Sequence, residues 1–157
     1  MMLEKEFDLV YGKIAKCTKK FVGKKEGDVY LWIESEFDEM VGGKVYINDN
    51  KEYKRYCNDM EEVDDKCWQF LDSLSGLVLK LKKLYNEREG HSFTNVKIHY
   101  SPDWEVLSVS YGVETYSDYN KKLLDEIVWE YKTLNIYPVN KGEIDMLEKF
   151  LEGEKHE

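Results

Sequence analysis

Residues 29–36 read Val-Tyr-Leu-Trp-Ile-Glu-Ser-Glu, and this stretch carries the clearest strand signal in the chain. It is rich in β-branched and aromatic residues, and Val29, Leu31 and Ile33 alternate onto one side of the predicted strand. Helical stretches lie before and after the strands that begin here. The expected class is therefore α+β, with helices packed against an antiparallel sheet of about five strands.

The segments on either side fit this class. Apolar residues from Phe7 to Phe21 recur at three- and four-residue steps, which predicts a first helix. Turns at 41–43 (Val-Gly-Gly) and at Asp49-Asn50 lead into strands over 44–47 and 53–57. The remaining predicted elements are a long helix over 63–85 that Gly90 ends, strands over 93–100 and 104–111, and helices over 123–134 and 141–151. The predicted order is α-βββ-α-ββ-α-α in one domain spanning residues 1–157.

Composition indicates a globular protein of the cytoplasm. The chain has 157 residues, of which 42% are hydrophobic, and no Ser/Gly/Pro-rich stretch marks a linker. Its first residues lack the basic start and apolar run of a signal peptide, and no apolar stretch approaches the roughly 20 residues of a membrane span. The three cysteines, Cys17, Cys57 and Cys67, are scattered, which favours free thiols in a reducing compartment.

The charge of the chain limits its partners. There are 32 acidic and 23 basic side chains, so the net charge is −9. Such a surface repels phosphate backbones, which argues against nucleic-acid binding, and it attracts a basic protein instead. A plain solubility role for the same charge stays open.

The search for chemistry gives a negative result. His91, His99 and His156 have no partners at metal-ligand spacing, and no phosphate loop or nucleophile motif is present. The pair Glu126 and Glu130 is four residues apart on a helix, but we interpret it as part of a solvated face with lysines nearby. We therefore predict no catalytic residue, no metal, no cofactor and no enzymatic activity.

Clustered acid is the feature that points to a binding surface. Five acids crowd into the start of the long helix, where Asp59 and Glu62 suit a capping box and the others exceed what capping needs. Further acids lie along the end of the first strand and the turn after it, and others precede the third helix. The predicted partner-binding residues are Glu34, Glu36, Asp38, Asp59, Glu61, Glu62, Asp64, Asp65, Trp104, Glu114 and Asp118.

Four large aromatic residues could serve either packing or binding. Trp32 alternates away from Leu31 and Ile33, and we favour packing for it. Trp104 follows a turn and stays open between the two roles. On the third helix, Tyr131 continues the apolar line and is assigned to the core, whereas Trp129 falls off that line and could instead cover an edge of the sheet.

The C-terminal half resembles a known family. The tract Phe93-Thr94-Asn95, the turn at Pro102-Asp103, and then Ile-Val-Trp-Glu-Tyr-Lys over 127–132 and Ile-Tyr-Pro over 136–138 resemble the YezG-like immunity proteins. These include the EsaG-type antitoxins of Gram-positive type VII secretion systems. The N-terminal half agrees in layout, so the resemblance covers nearly the whole chain, with motif-grade matches only in the C-terminal half.

The resemblance implies a partner. Family members bind the toxic C-terminal domain of a cognate secreted effector, often a nuclease of the LXG class, and keep it inactive inside the producing cell. Acids would then face the basic groove of the toxin. Relatives carry an acidic fifth strand, where this chain has Ser-Val-Ser-Tyr-Gly over 108–112, so its toxin need not be a nuclease.

Two hypotheses follow from the sequence. The first is a cytoplasmic immunity protein that binds and neutralises its cognate toxin, with no nucleic-acid or membrane partner. The second is an adaptor or chaperone-like module that escorts a secretion substrate without inhibiting it. The sequence makes no prediction about oligomeric state.

Overall fold

The computed structural model describes residues 2–23, 26–36, 39–56, 65–114 and 118–156, and these form helices and strands in the predicted order. In chain order, the elements are α1 (Met2–Val22), β1 (Val29–Glu36), β2 (Glu39–Asp49), β3 (Glu52–Tyr56), α2 (Asp65–Glu89), β4 (Asn95–Tyr100), β5 (Val106–Gly112), α3 (Tyr119–Leu134) and α4 (Lys141–Lys155). The strands make one antiparallel sheet, so the predicted α+β class is confirmed.

The chain divides into two compact units. The first, Met1–Glu114, holds α1, α2 and the whole sheet, and the second, Thr115–Glu157, holds α3 and α4. The prediction of one domain over 1–157 stays a prediction.

The sheet is organised around β1. Its strand order is β3-β2-β1-β4-β5, so β1 is paired on both sides and β3 and β5 form the edges. Leu31 lies opposite Val45 on one side and Ile98 on the other. Because side chains alternate along a strand, this register places Leu31, Val45 and Ile98 on one face of the sheet.

Helices α1 and α2 cover that apolar face. Their buried residues recur at helical spacing, and they form one core cluster with the strand residues Val29, Leu31 and Ile33. Phe21 near the end of α1 stacks on Phe70 of α2, with ring centroids 4.5 Å apart. Burial of this cluster is the main source of stability in the first unit.

Gly23 and Gly90 end the two long helices in the left-handed backbone region. Their φ angles are 72° and 81°, values that residues other than glycine adopt only with strain. The amide of Gly90 donates to the carbonyl of Asn86, which satisfies a carbonyl of the last turn of α2. The predicted role of Gly90 as a helix end is confirmed.

The second unit is a pair of capped helices. The carboxylate of Asp118 accepts a hydrogen bond from the Asn120 amide at the start of α3, and the side chain of Asn140 does the same for Glu143 at the start of α4. Lys132 on α3 forms an ion pair with Glu154 on α4, at 2.7 Å.

The predicted turn at 41–43 is wrong. Gly42 and Gly43 lie inside β2, opposite Glu34 and Ile33 of β1. A Gly-Gly pair usually signals a turn, but here the ladder between β1 and β2 continues through it. The predicted strand over 44–47 is therefore only part of a strand that spans Glu39–Asp49.

The solvated interpretation of Glu126 and Glu130 is also wrong, since their exposed fractions are 8% and 5%. Both are engaged in interactions, and they share a buried stripe with Ile127 and Leu134 because the four recur at helical spacing. Tyr131, assigned to the core from sequence, is only half-buried and meets the ring of Tyr137 edge-on.

The cysteines differ from the expectation of free thiols. Cys17 is free, whereas Cys67, at the start of α2, is disulfide-bonded. Cysteine pairing therefore lends no support to the prediction of a reducing compartment. No helix in the described ranges is long and apolar enough to cross a bilayer.

Gly27 gives a direct test of how closely the chain just before β1 approaches the backbone of β2. A Cβ atom at this position would lie 1.6 Å from the backbone oxygen of Asn48, and backbone cannot move aside as a side chain can. We expect Gly27→Ala to lower the free energy of unfolding by about 2 kcal/mol, measured by urea denaturation. Gly42→Ala is the matched control, because nothing lies within 4 Å of its Cβ position. Equal losses in the two variants would contradict the close approach.

Candidate partner-binding surface

Asp28 is the centre of a hydrogen-bonded group at one end of the sheet. It lies directly before β1, and its Oδ2 atom accepts hydrogen bonds from Nε2 of His99, at 2.7 Å, and from the hydroxyl of Tyr53. Its Oδ1 atom accepts from Nδ2 of Asn48, at 2.9 Å. One carboxylate thus connects β1, β2, β3 and β4 through side chains alone.

Tyr30 packs over this group. Its ring stacks on the imidazole of His99, with centroids 3.9 Å apart and planes 6° from parallel, and meets the ring of Tyr53 edge-on. Burial and the hydrogen bond to Asp28 raise the pKa of Tyr53 well above its usual range, so its hydroxyl stays a donor. Burial and the nearby charge of Asp28 raise the pKa of Tyr30 as well.

The pKa of Asp28 is set by opposing effects. Burial favours the neutral acid and would raise the pKa. The hydrogen bonds from Tyr53, His99 and Asn48, together with a Coulombic contribution from His99, outweigh burial and hold the pKa of Asp28 below its usual value. The ionised form is therefore the one that the folded protein stabilises.

A groove of about 690 Å³ opens beside this group. Its lining includes the apolar residues Ile47 and Pro102, together with three acidic residues and two asparagines: Glu26, Asp28, Asp49, Asn48 and Asn50. Asp49 is paired with Lys54 at 3.1 Å, and Asp28 faces its three donors. The groove is therefore polar and acidic, and suits a cationic group better than an anion or an apolar ligand.

The Asp28 group has the properties of a structural network. Its donors all point at one carboxylate, and the face of His99 is covered by Tyr30. Within the described ranges, no three His, Cys, Asp or Glu side chains are arranged to hold a metal ion. We find no nucleophile paired with a base in this group.

Three of the predicted binding acids lie at the opposite end of the sheet. Glu34 and Glu36 lie at the end of β1, and Glu34 is opposite Asn95, which is itself opposite Gly112 near the end of β5. Glu114 follows β5, and its carbonyl accepts a hydrogen bond from the Thr94 hydroxyl at 2.7 Å. We call this the Glu36 end, and the opposite end, where β1 begins, the Asp28 end.

Other predicted site residues lie elsewhere. Asp65 is exposed at the first described residue of α2, and Asp118 caps α3 in the second unit. The predicted residues Asp38, Asp59, Glu61, Glu62 and Asp64 lie outside the described residues, as does the capping box of Asp59 and Glu62.

Trp104 is a packing residue held in an unusual backbone conformation. It is half-buried against the core, with its ring 5.8 Å from that of Tyr100. Its amide donates to the carbonyl of Ser101, which closes the turn between β4 and β5, and its φ of 66° is rare for a bulky side chain. Trp32 is also buried, as expected, with the ammonium of Lys97 4.4 Å from its ring centroid.

Comparisons of this chain with protein-family models and with curated proteins find no match. The resemblance to the YezG-like immunity proteins therefore remains a prediction from the residues quoted above.

The low pKa of Asp28 predicts a pH-dependent contribution to stability. A carboxyl whose pKa is depressed by folding stabilises the protein above its unfolded-state pKa, and this contribution disappears as the pH falls through the folded-state value. We expect Asp28→Asn to lower the free energy of unfolding by about 2 kcal/mol near neutral pH, because a charged acceptor of three hydrogen bonds is lost. The difference from the wild type shrinks as Asp28 becomes protonated, which denaturation curves across the acidic range measure.

The matched control is Asp49→Asn, which removes a neighbouring carboxylate that is half-exposed and, among the residues that the structure describes, is paired with Lys54 alone. Exposed ion pairs contribute little, so we expect a change below about 0.5 kcal/mol. A loss at position 28 that stays constant down to strongly acidic pH would contradict the role assigned to the ionised carboxylate.

Proposed function

We propose that this protein is a cytoplasmic immunity protein, which binds and neutralises the toxic C-terminal domain of a cognate secreted effector of the LXG type. The toxin carries a basic surface and is most simply a nuclease. The protein acts by blocking that surface and carries out no chemistry of its own. The proposal is supported by the residues that resemble the YezG-like family and by the distribution of charge on the folded chain.

One observation carries the proposal beyond the sequence. The carboxylates of Glu26, Glu36, Asp65 and Glu114 are exposed, and none has a cationic partner in the described part of the chain. Other acids are neutralised, such as Glu154 by Lys132 and Asp49 by Lys54. A surface that leaves carboxylates unpaired keeps a field that attracts a basic protein and speeds the encounter.

The position of these acids favours a specific surface over general solubility. Glu36 and Glu114 lie at the same end of the sheet, where β1 and β5 finish. The strand β4 lies between β1 and β5, so the two carboxylates are spread across one end of the sheet and give that end a negative potential. A basic partner is attracted to this potential.

The proposal predicts a salt-sensitive complex. The purified chain, mixed with the toxin domain encoded beside its gene, is expected to abolish toxin activity at low salt, and its association rate should fall steeply as salt is added. Calorimetry and stopped-flow mixing measure the affinity and the rate. A toxin that stays fully active with excess chain at low salt would rule out the immunity function.

Charge reversal at the Glu36 end tests which acids matter. We expect Glu36→Lys combined with Glu114→Lys to weaken toxin binding by about tenfold or more, mostly through a slower association. The control is Asp72→Lys combined with Glu87→Lys on the exposed face of α2, which makes the same change in net charge. If both double variants lose affinity equally, only the total charge matters and the Glu36 end has no special role.

Co-expression separates this function from the adaptor alternative. Protection of cells from the toxin supports an immunity protein. Restored secretion of the effector without any protection would instead establish an escort role.

A further inference from the structure

The strand β5 is an open edge of the sheet. It pairs with β4 on one side only, and the described residues place no backbone partner on its other side. Val106 and Leu107 are 40% and 57% exposed, and Ser108 and Ser110 are exposed as well. Such an edge presents unpaired amide and carbonyl groups to solvent, together with apolar surface.

The two edges of the sheet differ in their protection. The other edge, β3, has the sequence Glu-Tyr-Lys-Arg-Tyr, in which three of five residues are charged. Charged side chains, lysine above all, are a common device that prevents an edge strand from pairing with another chain. The seven residues of β5, Val-Leu-Ser-Val-Ser-Tyr-Gly, include no charged residue and no proline.

Carboxylates mark the two ends of this unprotected strand. Glu105 directly precedes β5 at the Asp28 end, and Glu114 lies two residues beyond Gly112 at the Glu36 end. Both glutamates are exposed, and neither side chain has a cationic partner in the part of the chain that the structure describes. The edge therefore combines a neutral, strand-forming centre with an acid at each end.

We propose that β5 accepts an extended segment of a basic partner protein as a sixth strand of the sheet. The segment has an uncharged centre of about seven residues with Lys or Arg at both ends, which pair with Glu105 and Glu114. Main-chain hydrogen bonds supply the affinity, and the two ion pairs fix the register. This inference rests on the proposed function in one respect, since the partner that it describes is the basic toxin.

A second copy of this chain fits the same edge poorly. Antiparallel pairing of two β5 strands centred between Val109 and Ser110 sets Glu105 of one copy opposite Glu114 of the other. Parallel pairing sets each glutamate beside its own counterpart. Both arrangements bring like charges together, which destabilises strand pairing, whereas a segment with basic ends meets opposite charges.

A model peptide tests the edge without the toxin. The probe is Lys-Lys-Val-Thr-Val-Thr-Val-Thr-Val-Lys-Lys, titrated into ¹⁵N-labelled full-length chain and followed by NMR. We expect the largest shifts at the β5 amides and slower hydrogen exchange there, because new main-chain hydrogen bonds form. A peptide with Glu at both ends, and one with Pro in place of two of the three Thr residues, should each bind about tenfold more weakly or worse.

Two variants locate the binding. Leu107→Lys combined with Ser108→Lys gives β5 the charged edge that β3 has, and we expect at least a tenfold loss of peptide affinity. The control, Leu79→Lys combined with Ser73→Lys on α2, makes the same residue changes at exposed positions and should bind as the wild type does. If the β5 variant fails to fold, Glu105→Gln combined with Glu114→Gln leaves the strand unchanged. This variant should weaken the binding of the Lys-ended peptide and not that of the Glu-ended peptide.

Several outcomes would overturn the proposal. They are no detectable binding of the Lys-ended peptide, shifts centred on the acidic groove at Asp28, equal binding of the Lys-ended and Glu-ended peptides, and self-association of the chain through β5. A failure of the peptide experiment leaves toxin neutralisation untouched, since that is measured with the toxin domain itself. Conversely, if the peptide binds β5 while the toxin stays active, the strand-binding site is supported and the proposed function is contradicted.

Discussion

The sheet depends on β1, the strand that is hydrogen-bonded along both of its edges. Leu31 and Ile33 are fully buried, and a slip of one residue in either pairing would move them to the opposite face. That penalty fixes the register of β2 and β4, and through them the positions of β3 and β5. The residue directly before β1, Asp28, then reinforces the same register with hydrogen bonds to Asn48, Tyr53 and His99.

The sequence predicted the class, the order of the elements and the bounds of β1, because these follow from local periodicity and from a strand that is apolar at alternate positions. The prediction failed where tertiary contacts determine the local structure or the burial of a residue. Gly42 and Gly43 resemble a turn, but they lie in a ladder that their neighbours stabilise. Glu126 and Glu130 resemble solvated acids, but they lie on the stripe of α3 that is buried, and periodicity alone cannot tell which stripe a helix buries when acids and apolar residues alternate.

The candidate surface was only partly predictable. Clusters of acidic residues can be identified in the sequence, and Glu36 and Glu114, which were expected at a binding surface, are exposed. The Asp28 group could not be found from spacing, because Asp28 and His99 are 71 residues apart and meet only through the register of β1 and β4. Trp104, left open between packing and binding, packs against the core because the turn from β4 directs its ring onto Tyr100. In the sequence, the Asp28 group is visible only as polar residues at alternate strand positions.

The unequal edges of the sheet follow from the same arrangement. An antiparallel sheet that does not close into a barrel must end in two edges, and each edge needs a way to avoid indiscriminate pairing. The edge strand β3 has charge within the strand, whereas the acidic residues nearest to β5 along the chain, Glu105 and Glu114, lie just outside its ends. Charge placed beyond the ends of a strand repels a second copy of this acidic chain but leaves the backbone groups between them accessible. In the proposed strand addition, the protection of β5 is selective by the sign of the partner's charge, and the net charge of −9 is consistent with a basic partner.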